Sequence, residues 1–178
     1  MSSRPTPVDL CPHDPAWVVQ AAQEAERLHG TLGVSLVRVH HVGSTAIPGI
    51  VAKPILDLIP EFVSPAALDA SRAALESLGY VWWGEYGLPD RRYCTLTDPF
   101  TGRRHIHAHC YPTGSPEIER HLAFRDYLRS NAKLALDYEA EKQRCRALHP
   151  QDSAAYSEAK HVWIQPVQAA ALEWRRNG

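Results

Sequence analysis

Apolar positions along the chain recur first with the period of a helix and then with the shorter period of strands. After Asp14 and Pro15, an N-cap and first-turn pair, Trp17, Val18, Ala21, Ala22, Ala25 and Leu28 repeat at helical intervals. They predict a helix of about four turns that ends near Gly30 or Gly33. Residues 34 to 41 (VSLVRVHH) and 54 to 62 (PILDLIPEF) are apolar, β-branched runs and predict two buried strands. Between them GSTAIPGIVAK, punctuated by Gly43, Pro48 and Gly49, has room for only a turn of helix beginning near Ser44. Ser64 and Pro65 open another capped helix, which carries Leu68, Leu75 and Leu78 to a stop at Gly79. Segments 80–84, 92–97 and 104–111 are strand-like, and the turns GLPD and DPFTG between them predict an antiparallel meander. From Ser115 and Pro116 the pattern is helical almost to the end, with breaks near Ser130 and His149-Pro150 and a kink or stop at Pro166.

This alternation predicts an α/β (α+β) fold with a mixed sheet, helices packed on one side, and a helical C-terminal region closing a cleft. With 178 residues and no long linker or internal repeat, residues 1–178 are expected to form a single domain. The balance of 44% hydrophobic to 22% charged residues is that of a chain that folds. A formal net charge of -1 argues against a general nucleic-acid binder, and bulk electrostatics name no partner. The start has no signal-peptide core, and no stretch reaches the roughly 18 apolar residues of a spanning helix, so no membrane partner is expected and the cytoplasm is the expected location. Cys11, Cys94, Cys110 and Cys145 are scattered without a CxxC pair, which fits unpaired thiols in a reducing compartment.

The chemistry concentrates in His41-Val42-Gly43-Ser44-Thr45, followed by Lys53 and Asp57. A glycine allows a ligand to approach the backbone, and the N–H groups of a helix start and the Ser44 and Thr45 hydroxyls donate to phosphate oxygens. Lys53 adds an ammonium, and Asp57 on the next strand would hold a divalent cation bridging the same phosphates. The bland alternative is a Ser44 cap with a locally paired Asp57. His105, His107 and His109 alternate along one predicted strand and share one face at steps of about 7 Å. Beside Asp57 they would complete a mixed nitrogen and oxygen metal site, contact phosphate directly, or carry protons, with Asp57 and His107 as the catalytic candidates. They serve as well as a polar sheet face. Arg125, in FRDYLR, either reaches the cleft to bind phosphate or pairs with a carboxylate. Lys142 and Lys160, each four residues after a tyrosine, are reserve phosphate contacts, although cation-π packing explains both pairs.

HHVGSTAIPGIVAKPILDL closely resembles the signature of the GrpB family, and the stretches around Tyr80, Gly84 to Arg92, His105 to His109 and HLAFRDYLRSNAKLALDY extend the resemblance over nearly the whole chain. The resemblance implies a nucleotidyltransferase-like fold. In that superfamily a Gly-Ser turn precedes a strand with two carboxylates at alternate positions, and a third acid stands on a later strand. Gly43, Ser44 and Asp57 match, but the second acid position is Ile59, which weakens the usual two-metal mechanism. Glu61 lies about 13 Å further along the strand, too far to replace it.

Three functions follow as expectations. The first is a nucleotidyltransferase-like protein that transfers phosphoryl or nucleotidyl groups on a nucleotide or related phosphorylated small molecule, assisted by Mg, Mn or Zn. The second is a non-catalytic module that binds nucleotides or coenzyme A precursors, since some relatives look like a domain joined to dephospho-coenzyme A kinase. The kinase's own phosphate loop, GxxxxGK[ST], is absent from this chain. The third is an interaction protein whose motif is structural.

Overall fold

A computed structural model describes residues 6–178; the first five residues of the expected domain lie outside the described residues. Helix α1 (Ala16–Leu32) starts where Asp14 accepts the Ala16 N–H at 2.8 Å, and ends at Gly33, whose φ of 54° suits glycine. Strand β1 (Leu36–Val42) leads into a single 3-10 turn (Ser44–Ala46), and the chain returns along β2 (Leu56–Phe62). The Ser64 cap accepts the Ala67 N–H, as its sequence predicts. The helix that follows is divided into α2 (Pro65–Ala70) and α3 (Arg72–Ser77), because Ser71 turns its hydroxyl back onto the Ala67 carbonyl at 2.7 Å. Strands β3 (Val81–Trp82), β4 (Arg92–Thr97) and β5 (Arg104–Pro112) form the expected meander.

The sheet order is β1-β2-β5-β4-β3, with β2 and β5 parallel and all other neighbours antiparallel. That order places His107 directly opposite Asp57. Side chains alternate across the sheet. Leu56, Leu58, Ile106 and Ala108 turn to one face and meet Trp17 and Leu28 of α1, with Leu68 and Leu75 of α2 and α3. Asp57, Ile59, His107 and His109 turn to the other.

Three helices form the C-terminal region: α4 (Pro116–Ser130), α5 (Ala132–Leu148) and α6 (Ser153–Asn177). The breaks fall where the sequence puts them. Pro166 does not stop α6. The carbonyl it leaves without a donor belongs to Val162, a residue 77% exposed, so water can satisfy it.

This region grips the Gly-Ser connection. Ile47 and Ile50 are buried among Phe124, Leu128, Ala135 and Tyr138. Arg129 donates to the Ala46 carbonyl at 2.7 Å, Glu139 accepts the Val51 N–H at 2.7 Å, and Lys142 donates to the Val51 carbonyl. All four cysteines are thiols, and among the described residues no helix is long and apolar enough to cross a membrane.

Candidate functional site

Gly43 begins the turn with φ 71° and ψ -170°, a conformation open only to glycine. A side chain there would also collide with Asp57: an added Cβ would lie 2.9 Å from the Asp57 Cβ. The glycine therefore sets how closely the turn approaches the aspartate. Ser44 makes no cap; its hydroxyl instead points to the Tyr138 hydroxyl at 3.5 Å. The turn spends the Ala46 and Ile47 N–H groups on its own carbonyls, so it lacks the row of donors expected of a longer helix.

Asp57 meets two imidazoles. His107 Nδ1 lies 3.4 Å and His109 Nε2 3.7 Å from the same oxygen, Oδ1. Burial pushes the Asp57 carboxyl up, but the two histidines outweigh it and hold the group well below the usual carboxylate range. A third of the side chain stays open. On the far edge of His109, Nδ1 is 3.4 Å from Arg91, whose guanidinium already donates to the carbonyls of Glu85 and Tyr86.

Thr45 is buried, and its hydroxyl is 2.9 Å from His41 Nε2. Burial, with Arg129 nearby, lowers the His41 pKa to about 4 and keeps the ring neutral. The other ring nitrogen, Nδ1, is buried without a partner. A buried bare nitrogen costs less than a stranded N–H, so the proton belongs on Nε2 and is donated to Thr45, leaving the threonine's own proton for a ligand.

A cavity of 220 Å³ joins these groups; Ser44, Thr45, Lys53, Asp57, His107 and His109 line it. So do Lys142, Tyr156 and Lys160. Lys53 is held by Ser153 at 2.9 Å, Lys142 lies over the Tyr138 ring at 4.8 Å and Lys160 over the Tyr156 ring at 4.4 Å. Burial lowers the pKa of all three lysines, and Lys160 adds to the effect at the other two; Lys142 falls to about 7.

The structure thus brings Gly43, Ser44, Thr45, Lys53, Asp57, His107 and His109 together. It does not bring in His105, which is absent from the cavity wall and has Nδ1 buried without a partner. Arg125 also stays outside: it pairs with Asp126 at 2.7 Å and donates to the His41 carbonyl at 2.9 Å, anchoring the end of β1. Glu61 is committed to His40 at 2.8 Å and Thr113 at 2.9 Å. Ile59 is fully buried with Val42, Tyr111 and Ile118 against α4, so apolar core fills the place of a second acid. Tyr156 was not singled out for the cavity by its sequence position, and only its pairing with Lys160 four residues later signalled it. Among the described residues no three His, Cys, Asp or Glu side chains close into a metal cluster on their own.

The family model described as GrpB protein matches residues 7–170. The protein YqkA of Bacillus subtilis is 35% identical over 169 residues, which cover 95% of this chain and 48% of YqkA. A protein named dephospho-CoA kinase from Mycolicibacterium paratuberculosis is 31% identical over 190 residues, covering 94% of this chain and 47% of that protein. The chain therefore spans about half the length of either relative. The crystal structure of the conserved protein GrpB from Enterococcus faecalis superposes with a TM-score of 0.86 at 34% identity, over 94% of this chain and 99% of that one. The Cid1 poly(U) polymerase superposes with a TM-score of 0.55 at 11% identity, over 83% of this chain and 49% of Cid1, which shows a nucleotidyltransferase-like fold and no more.

Proposed function

The chain belongs to the GrpB family, and on that premise we propose that it binds a nucleotide or related phosphorylated small molecule and supports phosphoryl or nucleotidyl transfer at Asp57. The observation that carries this reading is the charge of the cavity. Lys53, Lys142 and Lys160 face a single carboxylate, Asp57, which is already engaged by two histidines. Buried ammonium groups that repel one another are costly, and the nearby Asp57 and Glu139 carboxylates leave their pKa values lowered; phosphate oxygens between them would offset that cost. Thr45 and Ser44 add hydroxyl groups to the same cavity lining.

A divalent cation fits the donor set in part. The separations of 3.4 and 3.7 Å at Asp57 Oδ1 exceed a good hydrogen bond, and imidazole nitrogen beside carboxylate oxygen is a donor set that suits a transition metal ion. Asp57, His107 and His109 do not close on an ion by themselves, so they would hold one only with phosphate oxygens beside them, and Arg91 would rest on its two carbonyls while His109 keeps its proton on Nδ1. The cation would neutralise charge developing on the transferred group. Mixed nitrogen and oxygen donors suit Zn or Mn better than Mg.

A second reading, a binding module without transfer chemistry, draws support from Ile59, because a buried isoleucine leaves no second acid for a two-metal site. Coenzyme A precursors remain ligand candidates under either reading, through the likeness to the dephospho-CoA kinase. The test is a thermal-shift panel of nucleotides and coenzyme A precursors with Mg, Mn or Zn, comparing wild type with Asp57→Asn. A metal-dependent stabilisation lost in the variant supports the site, and product analysis then separates transfer from binding. No shift with any ligand in either protein refutes both.

A further inference from the structure

Beyond His107 and His109, the same sheet face continues over β4 and into the β3–β4 loop as a row of aromatic rings. Tyr93 lies opposite His109 in register and sets its ring edge-on to His107 at 5.7 Å and against His109 at 5.2 Å. Tyr86 stacks on the outer side of Tyr93, with centroids 5.2 Å apart and planes 26° from parallel. Trp83 stands beside Tyr86 at 6.0 Å and is fixed by a 2.9 Å bond from its indole N–H to Thr95. Arg104 lies over the Trp83 ring at 5.5 Å.

Tyr93 is buried, whereas Tyr86 and Trp83 are 61% and 42% exposed. Tyr86 therefore uses one ring face on Tyr93 and leaves the other open. The loop spends unusual means to hold it there. Tyr86 has φ 47°, a left-handed conformation that bulky residues rarely adopt. Arg91, a buried cation, fixes it by donating to the Glu85 and Tyr86 carbonyls, at 3.2 and 2.7 Å. The same guanidinium touches His109, so one side chain ties the aromatic loop to the Asp57 cluster.

We propose that Tyr86 and Trp83 form a stacking subsite for the planar, nucleobase-like ring of the ligand whose phosphates enter the lysine cavity. This rests on the phosphate reading above. The occupant follows from continuity with the cavity through Tyr93 and the two histidines, from a free ring face, and from a cation at the rim. Open aromatic faces hold heteroaromatic rings by stacking, with little regard to which base is present.

The experiment compares two probes on the full chain by calorimetry: tripolyphosphate, which has no ring, and the nucleoside triphosphates ATP, GTP, CTP and UTP. Wild type is expected to bind at least one nucleoside triphosphate more tightly than tripolyphosphate. Tyr86→Ala and Trp83→Ala should each weaken that nucleotide about tenfold and leave tripolyphosphate unchanged, and Tyr86→Phe should restore binding. Equal losses on both probes would make the rings structural and overturn the subsite, as would no loss on either. Wild type binding all probes equally would overturn the subsite while leaving the phosphate site intact. Binding of no probe would overturn the phosphate reading and the subsite with it.

Discussion

Replacing Gly43 by alanine attacks the site at its tightest point. Two penalties add. The backbone at φ 71° and ψ -170° is closed to a side chain, which costs about 1–3 kcal/mol. The new methyl would also lie 2.9 Å from the Asp57 Cβ and 3.0 Å from its Cγ, with the Oδ2 closer still, so Asp57 or the turn must shift by several tenths of an ångström. That overlap adds about 1–3 kcal/mol. A total near 4 kcal/mol in a protein of this size lowers Tm by roughly 8–16 °C. Denaturant unfolding followed by circular dichroism measures the loss, and a cycle with Asp57→Gly apportions it. With the Asp57 side chain gone only the backbone penalty remains, so the two changes should couple by at least about 1 kcal/mol. Strict additivity, or a cost under about 0.5 kcal/mol for Gly43→Ala, would refute the claim that Asp57 packs on the bare face of this glycine.

Other substitutions probe separate parts of the site. Ser44→Ala should leave stability unchanged within about 0.5 kcal/mol, because Ser44 caps nothing, while reducing phosphate-ligand affinity in the calorimeter. Ile59→Asp, which restores the superfamily's second acid, should cost more than about 3 kcal/mol by urea unfolding and bring no new activity, since the position is sealed in core. Lys142→Met tests the buried ammonium, which Lys160 repels and Glu139 favours. The folded pKa of about 7 lies below the ordinary 10.5, so the unfolded chain holds an extra proton between these values and wild-type stability rises across that window. The advantage of Lys142→Met should therefore be full at pH 7 and below and shrink toward pH 10.5, measured as unfolding free energy against pH. Thr45→Val and His41→Phe should each weaken tripolyphosphate binding, and in the double variant the second change should have no further effect, because His41 acts through Thr45.

Local patterns carried much of this fold. The Gly43-Ser44 turn between two strands, the alternation of His105, His107 and His109, and the Ser64 and Ser115 caps are short-range signals that the structure repeats. What sequence could not supply was pairing. It took the parallel placement of β5 beside β2 to set His107 opposite Asp57, and the same register left His105 outside the cavity. Arg125 has the residue type for a phosphate contact, but its helix position aims it at the His41 carbonyl and Asp126. Lys142 and Lys160 stand in the sequence as reserve phosphate contacts beside nearby tyrosines, and their meeting with Lys53 depends on how α5 and α6 dock. Ser71 and Pro166 show local signals overruled or sharpened by neighbours: a hydroxyl divided one helix, and hydration at Val162 let another continue.

The three ammonium groups enter the cavity from parts of the chain far apart: Lys53 ahead of β2, Lys142 on α5 and Lys160 on α6. Lys53 donates to Ser153 of α6 at 2.9 Å and so ties the start of the last helix to the chain's first half; on the phosphate reading proposed above, an anion among the three ammonium groups would add a second tie. On that reading the durability of the C-terminal region would follow the supply of ligand. A protease offered the starved protein should clip first near the α5–α6 junction at Pro150, and the same cut should become slow when phosphate occupies the gap. On the proposed reading, protection from the protease would then report occupancy of the cavity.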